Sequence, residues 1–497
     1  MTCFYCVVKI FVMSPYIVLL TLALYLLLLF ALSRFSSRRA DNAGFFIGNR
    51  RTSWYMATLA MIGAAMSGVT YISVPGSVAS DNFSYMQMVV GFTIGQFIVA
   101  FLLVPLFYRL RIVSLYEYLD SRFGVTTHRW GAWCFLLAKI IGSSLKLYVV
   151  CVVMQMLVFD HLNIHFMWNL LLTMSVVYLY TYRGGVSSLI LTDSLQSLCL
   201  VGSVVVVIWF ICREIGLSFN DTFELVSNSQ YSKMWFFDDP SSKYYFWKMV
   251  SGGALCLVAM TGLDQDMMQR NLSCRTKRDS QINIVLTALC QIVVIALFLA
   301  LGVLLYEYID FKSLPMPVRG DDAFALVAVN GGLPLVVGVV FVVGLISSTY
   351  SAAGSALTSL TTSFTIDILD AQRRYEESAL KRLRKRIHFV MALVMTLMII
   401  LFEYFADQSA INLVFKLAGY TYGPILGMFV YGMISKRKIK ENLLCWVVLI
   451  SPLMSYLLQW FVAKNYGYYI GFELLGYNAL FCIFGLQLIS KPNEETV

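Results

Sequence analysis

The chain has 497 residues, 59% of them hydrophobic and 13% charged, with a mean hydropathy of +0.74. That is too apolar for a soluble globular protein and marks a polytopic membrane protein. A formal net charge of +9 raises nucleic acid or acidic partners, but in a membrane protein the first question is on which side the positive residues lie.

Ser14 to Leu32 is an apolar run too long for a signal-peptide core, followed by Arg34, Arg38 and Arg39 without a small-residue cleavage site. It reads as a retained first span. Further spans are predicted near 54–78, 85–108, 129–159, 166–182, 185–212, 246–265, 281–306, 333–368, 387–406, 410–434, 442–463 and 467–489. That makes roughly thirteen crossings at about 20 residues each. Alternate loops are basic: Arg50 and Arg51, then Arg109, Arg111, Arg122 and Arg129, then Arg183, then Arg270, Arg275, Lys277 and Arg278. The series continues with Arg373 to Arg386 and with Lys436 to Lys440, whereas the intervening loops hold Asp81, Asp160, Glu307, Asp310, Asp321 and Asp322. By the positive-inside rule the basic loops are cytoplasmic, so the N-terminus is expected outside and the C-terminus inside. The expected organisation is one membrane domain over 1–497 in a plasma membrane, that of a bacterial inner membrane. Eleven cysteines, mostly in apolar segments, read as small buried hydrophobes.

The segment Gly344 to Asp370, GLISSTYSAAGSALTSLTTSFTIDILD, is a span crowded with Gly, Ala, Ser and Thr. Small residues let backbones approach closely, and hydroxyls at membrane depth must find partners because lipid offers none. Such a helix is predicted to pack against others, either as a tight seam or as a source of oxygen ligands for a hard cation. Asp193, inside an apolar span, costs several kcal/mol unless paired, hydrated or protonated, which points to a cation path or a proton. An interfacial pairing with a basic loop is the structural alternative. Lys146 and Lys416 also lie within spans, with Lys139 nearer an end. Lys146 and Lys416 would neutralise an anionic solute, mimic a bound cation or pair structurally. Ser67, Thr70, Gln87 and Gln291 complete the polar candidates for a central cavity, although polar lining also glues ordinary bundles together.

Four local patterns combine: Ser114-Leu115-Tyr116-Glu117-Tyr118-Leu119-Asp120-Ser121-Arg122-Phe123-Gly124; Gly184-Gly185-Val186 running to Thr192-Asp193-Ser194-Leu195-Gln196; Gly262-Leu263-Asp264-Gln265 followed by Gln269-Arg270; and the hydroxyl-rich helix ending Thr365-Ile366-Asp367. In order and spacing they resemble the sodium:solute symporter family over nearly the whole chain. The resemblance implies an all-α fold with two five-helix repeats of opposite orientation, about 54–212 and 246–434, and peripheral helices near 14–33, 442–463 and 467–489. The first helix of each repeat should be discontinuous, so that backbone groups meet ion and substrate at mid-membrane. The expected breaks are Gly63, Gly68 or Pro75-Gly76 in the second span and Ser251-Gly252-Gly253 in the seventh.

The resemblance further implies a sodium site built from carbonyls of Gly63, Met66 and Ser348 and the hydroxyl of Ser351, with Asp193 beside the ion route. Two departures stand out: Ala352 has no hydroxyl where the family places one, and Gly354 replaces a residue that is often polar. Asp264 and Arg270 read as a cytoplasmic brace. The implied function is import of a small solute (sugar, sialic acid, amino acid or carboxylate) coupled to sodium, with no enzymatic activity and no cofactor. Proton coupling through Asp193 is the rival reading, and a non-transporting solute sensor is another.

Overall fold

The computed structural model describes residues 14–36, 42–182, 185–405, 410–468 and 470–491. Arg38, Arg39, Arg183 and Gly184 of the patterns above lie outside these residues. The described chain folds into helices, and no strand forms among the described residues. Within a membrane this is the form in which an open segment satisfies its own backbone.

The principal helices are α1 (Pro15–Ser36), α2 (Trp54–Ala65), α3 (Gly68–Gly76), α4 (Tyr85–Leu110), α5 (Val125–Phe159), α6 (Phe166–Thr181), α7 (Val186–Ile215) and α8 (Phe246–Gly262). They continue with α9 (Gln265–Leu272), α10 (Lys277–Phe311), α11 (Leu335–Ile368), α12 (Glu377–Phe405), α13 (Ala410–Thr421), α14 (Gly423–Ile434), α15 (Leu444–Tyr466) and α16 (Leu474–Leu488). Among the described residues eight helices are long and apolar enough to cross a membrane, or up to ten if the bent pairs α2–α3 and α8–α9 each count as one crossing. The remaining predicted spans fall on the shorter helices α6, α13 with α14, and α16. The molecule is a multi-span membrane protein.

The two bends place the site; the first adjoins the expected Gly68, and the second lies away from the expected glycines. The second span breaks at Met66 and Ser67, between Gly63 and Gly68, with an angle of 61° between α2 and α3. In the seventh span, helix α8 runs unbroken through Ser251, Gly252 and Gly253. The break comes at Leu263 and Asp264, with a 64° turn into α9. The glycines of α8 do a different job. A Cβ on Gly253 would sit 3.3 Å from Gly91 Cα, and one on Gly91 would sit 2.9 Å from Ala254 N. These positions let α4 and α8 cross with their backbones in contact.

Helix α11 lies at the centre, against α7, α5, α12, α1 and α3. Every residue from Gly344 to Ser363 is buried except Ala352. Most of its hydroxyls turn back on their own helix: Thr358 donates to the Gly354 carbonyl, Thr361 to Leu357, Thr362 to Thr358 and Thr365 to Thr361. For these residues the seam reading holds. Gly354 makes room for the Tyr180 ring, whose hydroxyl donates to the Tyr350 carbonyl. Four of the long helices, α4, α5, α8 and α11, carry a single π turn, at Val99–Leu103, Gln155–Phe159, Val258–Gly262 and Phe364–Ile368.

Candidate functional site

Breaking a helix leaves its last carbonyls and the first N–H groups of the next segment without intrahelical partners. At the first break Met66 N–H still reaches Ile62 O, and the next helix begins with Tyr71 N–H on Ser67 O. The carbonyls from Gly63 to Met66 and the N–H groups of Gly68, Val69 and Thr70 are thereby released from helical pairing. At the second break Asp264 caps α9, its Oδ1 accepting from the N–H groups of Asp266 at 2.8 Å and Met267 at 3.4 Å. Ser67, at the equivalent place before α3, makes no side-chain cap.

A cavity of about 130 Å³ lies between the two breaks. One wall holds Met66, Ser67 and Thr70, and the opposite wall Thr261, Asp264 and Met267. Lys139 and Lys146 of α5, Gln291 of α10 and Tyr422 also line it. Gln291 accepts from Gln96 Nε2 at 2.8 Å, and Ser67 and Thr70 hydroxyls lie 3.4 Å apart.

Behind the cavity runs a chain of buried charges. Lys139 Nζ sits 3.1 Å from Asp264 and 2.7 Å from Asp266. Asp266 passes its other oxygen to Arg270 Nη1 at 2.6 Å, and Arg270 Nη2 reaches Asp193 at 2.8 Å. Asp193 then accepts Ser351 Oγ at 2.8 Å. Ser355 donates to Asp266 at 3.1 Å and Tyr422 to Asp264 at 2.6 Å. Among the described residues no group of three or more His, Cys, Asp and Glu side chains forms a metal cluster.

The predicted residues fall into three groups. Met66, Ser67, Thr70, Lys146 and Gln291 line the cavity. Gly63, Asp193, Ser348 and Ser351 do not line it. A Cβ on Gly63 would lie 2.9 Å from the Asp193 carbonyl, and one on Gly68 would lie 3.4 Å from Ser348 Oγ. Gln87 and Lys416 stand apart. Gln87 is buried outside the cavity, its amide donating to the Tyr244 carbonyl at 2.9 Å and its oxygen accepting Phe236 N–H at 3.0 Å, so it pins the polar segment before α8. Lys416 is exposed on α13, whose other face supplies Leu417, Ala418 and Thr421 to the cavity.

Asp264 and Arg270 are more than a brace, since one lines the cavity and the other holds Asp193. Lys139, Asp266 and Tyr422 were not among the expected site residues. A signal for two of them was present: Asp266 and Arg270 are four apart on one helix, and Lys139 is a lysine in an apolar span that requires a carboxylate. In the loop before α5, the Glu117 carboxyl, accepting Ser114 N–H at 3.0 Å, is pushed above its usual range by burial.

The chain is similar to several known transport proteins. A family model described as Sodium:solute symporter family matches residues 45–444. The chain is 25% identical to the Homo sapiens sodium/iodide cotransporter, over 81% of this chain and 62% of that protein. It is 26% identical to the Oryctolagus cuniculus sodium-dependent multivitamin transporter, over 78% of this chain and 61% of that protein. The matched regions thus span less than two thirds of the length of these two relatives. With the sodium/sialic acid symporter SiaT of Proteus mirabilis (strain HI4320) it shares 22% identity over 81% of each chain. A solved structure of a Na+-coupled sialic acid symporter, substrate-bound and outward-open, superposes with a TM-score of 0.79 at 19% identity, covering 96% of this chain and 99% of that one. A nucleobase-cation-symport-1 family transporter in a closed conformation gives 0.60 at 12% identity, covering 91% of this chain and 95% of that one. The two structures establish a shared fold.

Proposed function

Because the chain belongs to the sodium:solute symporter family, we propose that it is a sodium-coupled secondary symporter that takes up a small organic solute by alternating access. The observation that carries this reading is the pair of helix breaks facing each other across one cavity, with Asp193 and Ser351 joined at the far end of the charge chain that starts from Lys139 in its wall. Released carbonyls and N–H groups at mid-membrane are what a transporter uses to hold an ion and a solute without a rigid pore.

Sodium is held where the end of α2 meets α11, by carbonyls of Gly63, Met66 and Ser348, by Ser351 Oγ and by Asp193. Three hydroxyls near Ala352 donate their protons elsewhere and, like that of Ser351, keep oxygen lone pairs for a cation. Ser347 donates to Tyr25 at 2.8 Å, Thr349 to the Leu345 carbonyl at 2.7 Å, and Ser355 to Asp266. The Asp193 carboxylate offsets the missing neutral ligand with a formal charge, and sodium competes with Arg270 for it. Ser67, Thr70, Gln291 and Lys146 face the solute.

The reading includes thirteen crossings, an inverted five-plus-five core and an N-terminus outside. Alternation of basic and acidic loops supports the orientation. The relatives named above are all described as sodium-coupled or sodium-dependent transporters. This supports sodium over protons through Asp193, and transport over sensing. One cation moving through 100 mV supplies about 2.3 kcal/mol, and a tenfold gradient adds about 1.4 kcal/mol.

Thermal stability of the purified protein in sodium, potassium or choline chloride at fixed ionic strength tests the reading, because a ligand of the folded state raises apparent stability. A sodium-specific rise is expected, together with uptake into sealed vesicles that stops when sodium is replaced. Equal stability in all three salts would overturn it.

A further inference from the structure

We infer that the solute is a small organic monoanion, a carboxylate, and that Lys146 is its counter-charge. The inference rests on the symport reading and names the substrate class of that same cavity.

Lys139 and Lys146 lie seven residues apart on α5, on one face and two turns from each other. Lys139 is matched by two carboxylates, Asp264 and Asp266. Lys146 is half-buried in the cavity wall, and among the described residues it makes no hydrogen bond or ion pair. Asp264 is the carboxylate in that wall, and it is fully engaged: its oxygens accept from Lys139, from Tyr422 and from the N–H groups that it caps. Ser67, Thr70 and Gln291 are neutral. A lysine at membrane depth is costly without a close negative partner, and an anion in the cavity would give Lys146 the partner that none of the described residues provides.

The helix ends point the same way. The N-terminus of α9 is already closed by Asp264, whereas α3 opens onto the cavity with no side-chain cap from Ser67. The positive end of a helix with free N–H groups attracts a negative group. Lys146 and the start of α3 therefore offer a carboxylate both a charge and donors, while Tyr85, Phe92, Met260 and Ile295 face its apolar body.

The charge balance around the cavity ties this anion to the cation. Asp193, Asp264 and Asp266 are balanced by Lys139, Arg270 and Lys146. Adding sodium alone leaves the buried set positive, and adding a monoanion alone leaves it negative. Adding both leaves it neutral. In a low-dielectric interior an unbalanced charge is expensive, so each ligand tightens the other, by the same factor in both directions. A factor of about 5 to 150 is the usual range for such coupling.

The test uses the full-length purified protein and paired probes of nearly equal shape: lactate with lactamide, benzoate with benzamide, and nicotinate with nicotinamide, each in sodium and in choline chloride. At least one carboxylate should raise the melting temperature in sodium and not in choline, while its amide does not. In Lys146→Gln the carboxylate shift should vanish, and sodium alone should bind several-fold more tightly, because the buried set has lost one positive charge. A lysine with a purely structural role would produce no gain in sodium affinity. Lys146→Arg should retain the carboxylate shift. The inference is overturned if no carboxylate outperforms its amide in the native protein, or if Lys146→Gln keeps the native carboxylate shift. Either result alongside an intact sodium shift leaves the symport reading standing, whereas loss of the sodium shift in the native protein fails that reading itself.

Discussion

Arg270 directs both Nε and Nη2 onto one oxygen of Asp193, at 3.0 and 2.8 Å. The carboxylate keeps its second oxygen for Ser351. Both residues of the pair are buried, with side-chain exposures of 2% and 0%. The pair thus joins the end of the broken seventh span to the helix that flanks the candidate ion site.

Replacing Arg270 by methionine strands Asp193, whereas Asp266 keeps Lys139. Breaking a buried pair by removing one partner costs about 3–5 kcal/mol, so Arg270→Met should sharply lower the melting temperature and the yield of monodisperse protein. Arg270→Lys should recover only part of the loss, since an ammonium cannot place two parallel donors on a carboxylate. Thermal melts of the three proteins in the same detergent check this.

Ser351→Ala removes a hydroxyl from Asp193 and from the proposed sodium shell. A hydrogen bond to a charged group is worth about 1.5–3 kcal/mol, and sodium affinity should fall roughly tenfold or more. Ala352→Ser should tighten it, since it supplies the hydroxyl absent from the proposed shell at a position that, alone between Gly344 and Ser363, is not fully buried. Sodium titrations followed by melting temperature measure both. Unchanged half-saturation in both variants would return α11 to a purely packing role.

Gly91→Val tests the crossing of α4 and α8. Its Cβ would run into the Val250 carbonyl and come within 3.0 Å of Gly253 Cα, contacts that only backbone movement can relieve. Overpacking of this kind costs about 1–3 kcal/mol. The expected outcome is lower stability with unchanged sodium half-saturation in the protein that remains folded.

Gln87→Ala and Lys416→Gln separate cavity residues from bystanders. Loss of the Gln87 amide frees the segment at Phe236 and Tyr244, so limited proteolysis there should accelerate while the sodium response stays as in the native protein. Lys416→Gln should alter neither. A large fall in solute-induced stabilisation in Lys416→Gln would place that lysine at the solute after all.

Much of the helical layout was legible because hydropathy and loop charge act over whole segments, where the demand for internal backbone pairing leaves one solution. The breaks were less legible. Glycine marks where a helix is weak, but also where another backbone comes close, and Gly252 and Gly253 serve the second purpose. What ends the helix at Leu263 is a carboxylate ready to cap the next one, a signal carried by Asp264 and not by glycine. Depth was hard to judge for the same kind of reason. Lys146 and Lys416 look alike in a hydropathy window, yet one faces the cavity and the other faces outward, because rotation about a helix axis depends on neighbours distant in sequence. Lys139 and Asp266 are 127 positions apart, and only tertiary packing makes them partners.

The π turn at the end of α11 has its own consequence for Asp367. A π turn inserts one extra residue into the helical path, and an α-helix advances about 100° per residue at 3.6 residues per turn. Asp367 lies within this turn, where it accepts Ser363 Oγ at 2.6 Å and meets His128 Nε2 at 2.9 Å. Deleting one neighbouring position, Ile366 for example, would restore an ordinary spiral and swing the carboxylate about a quarter-turn away from the imidazole. The damage would be confined to this turn, since the helix on either side keeps its register once the extra residue is gone, and the His128 contact would be lost with every other side chain chemically intact.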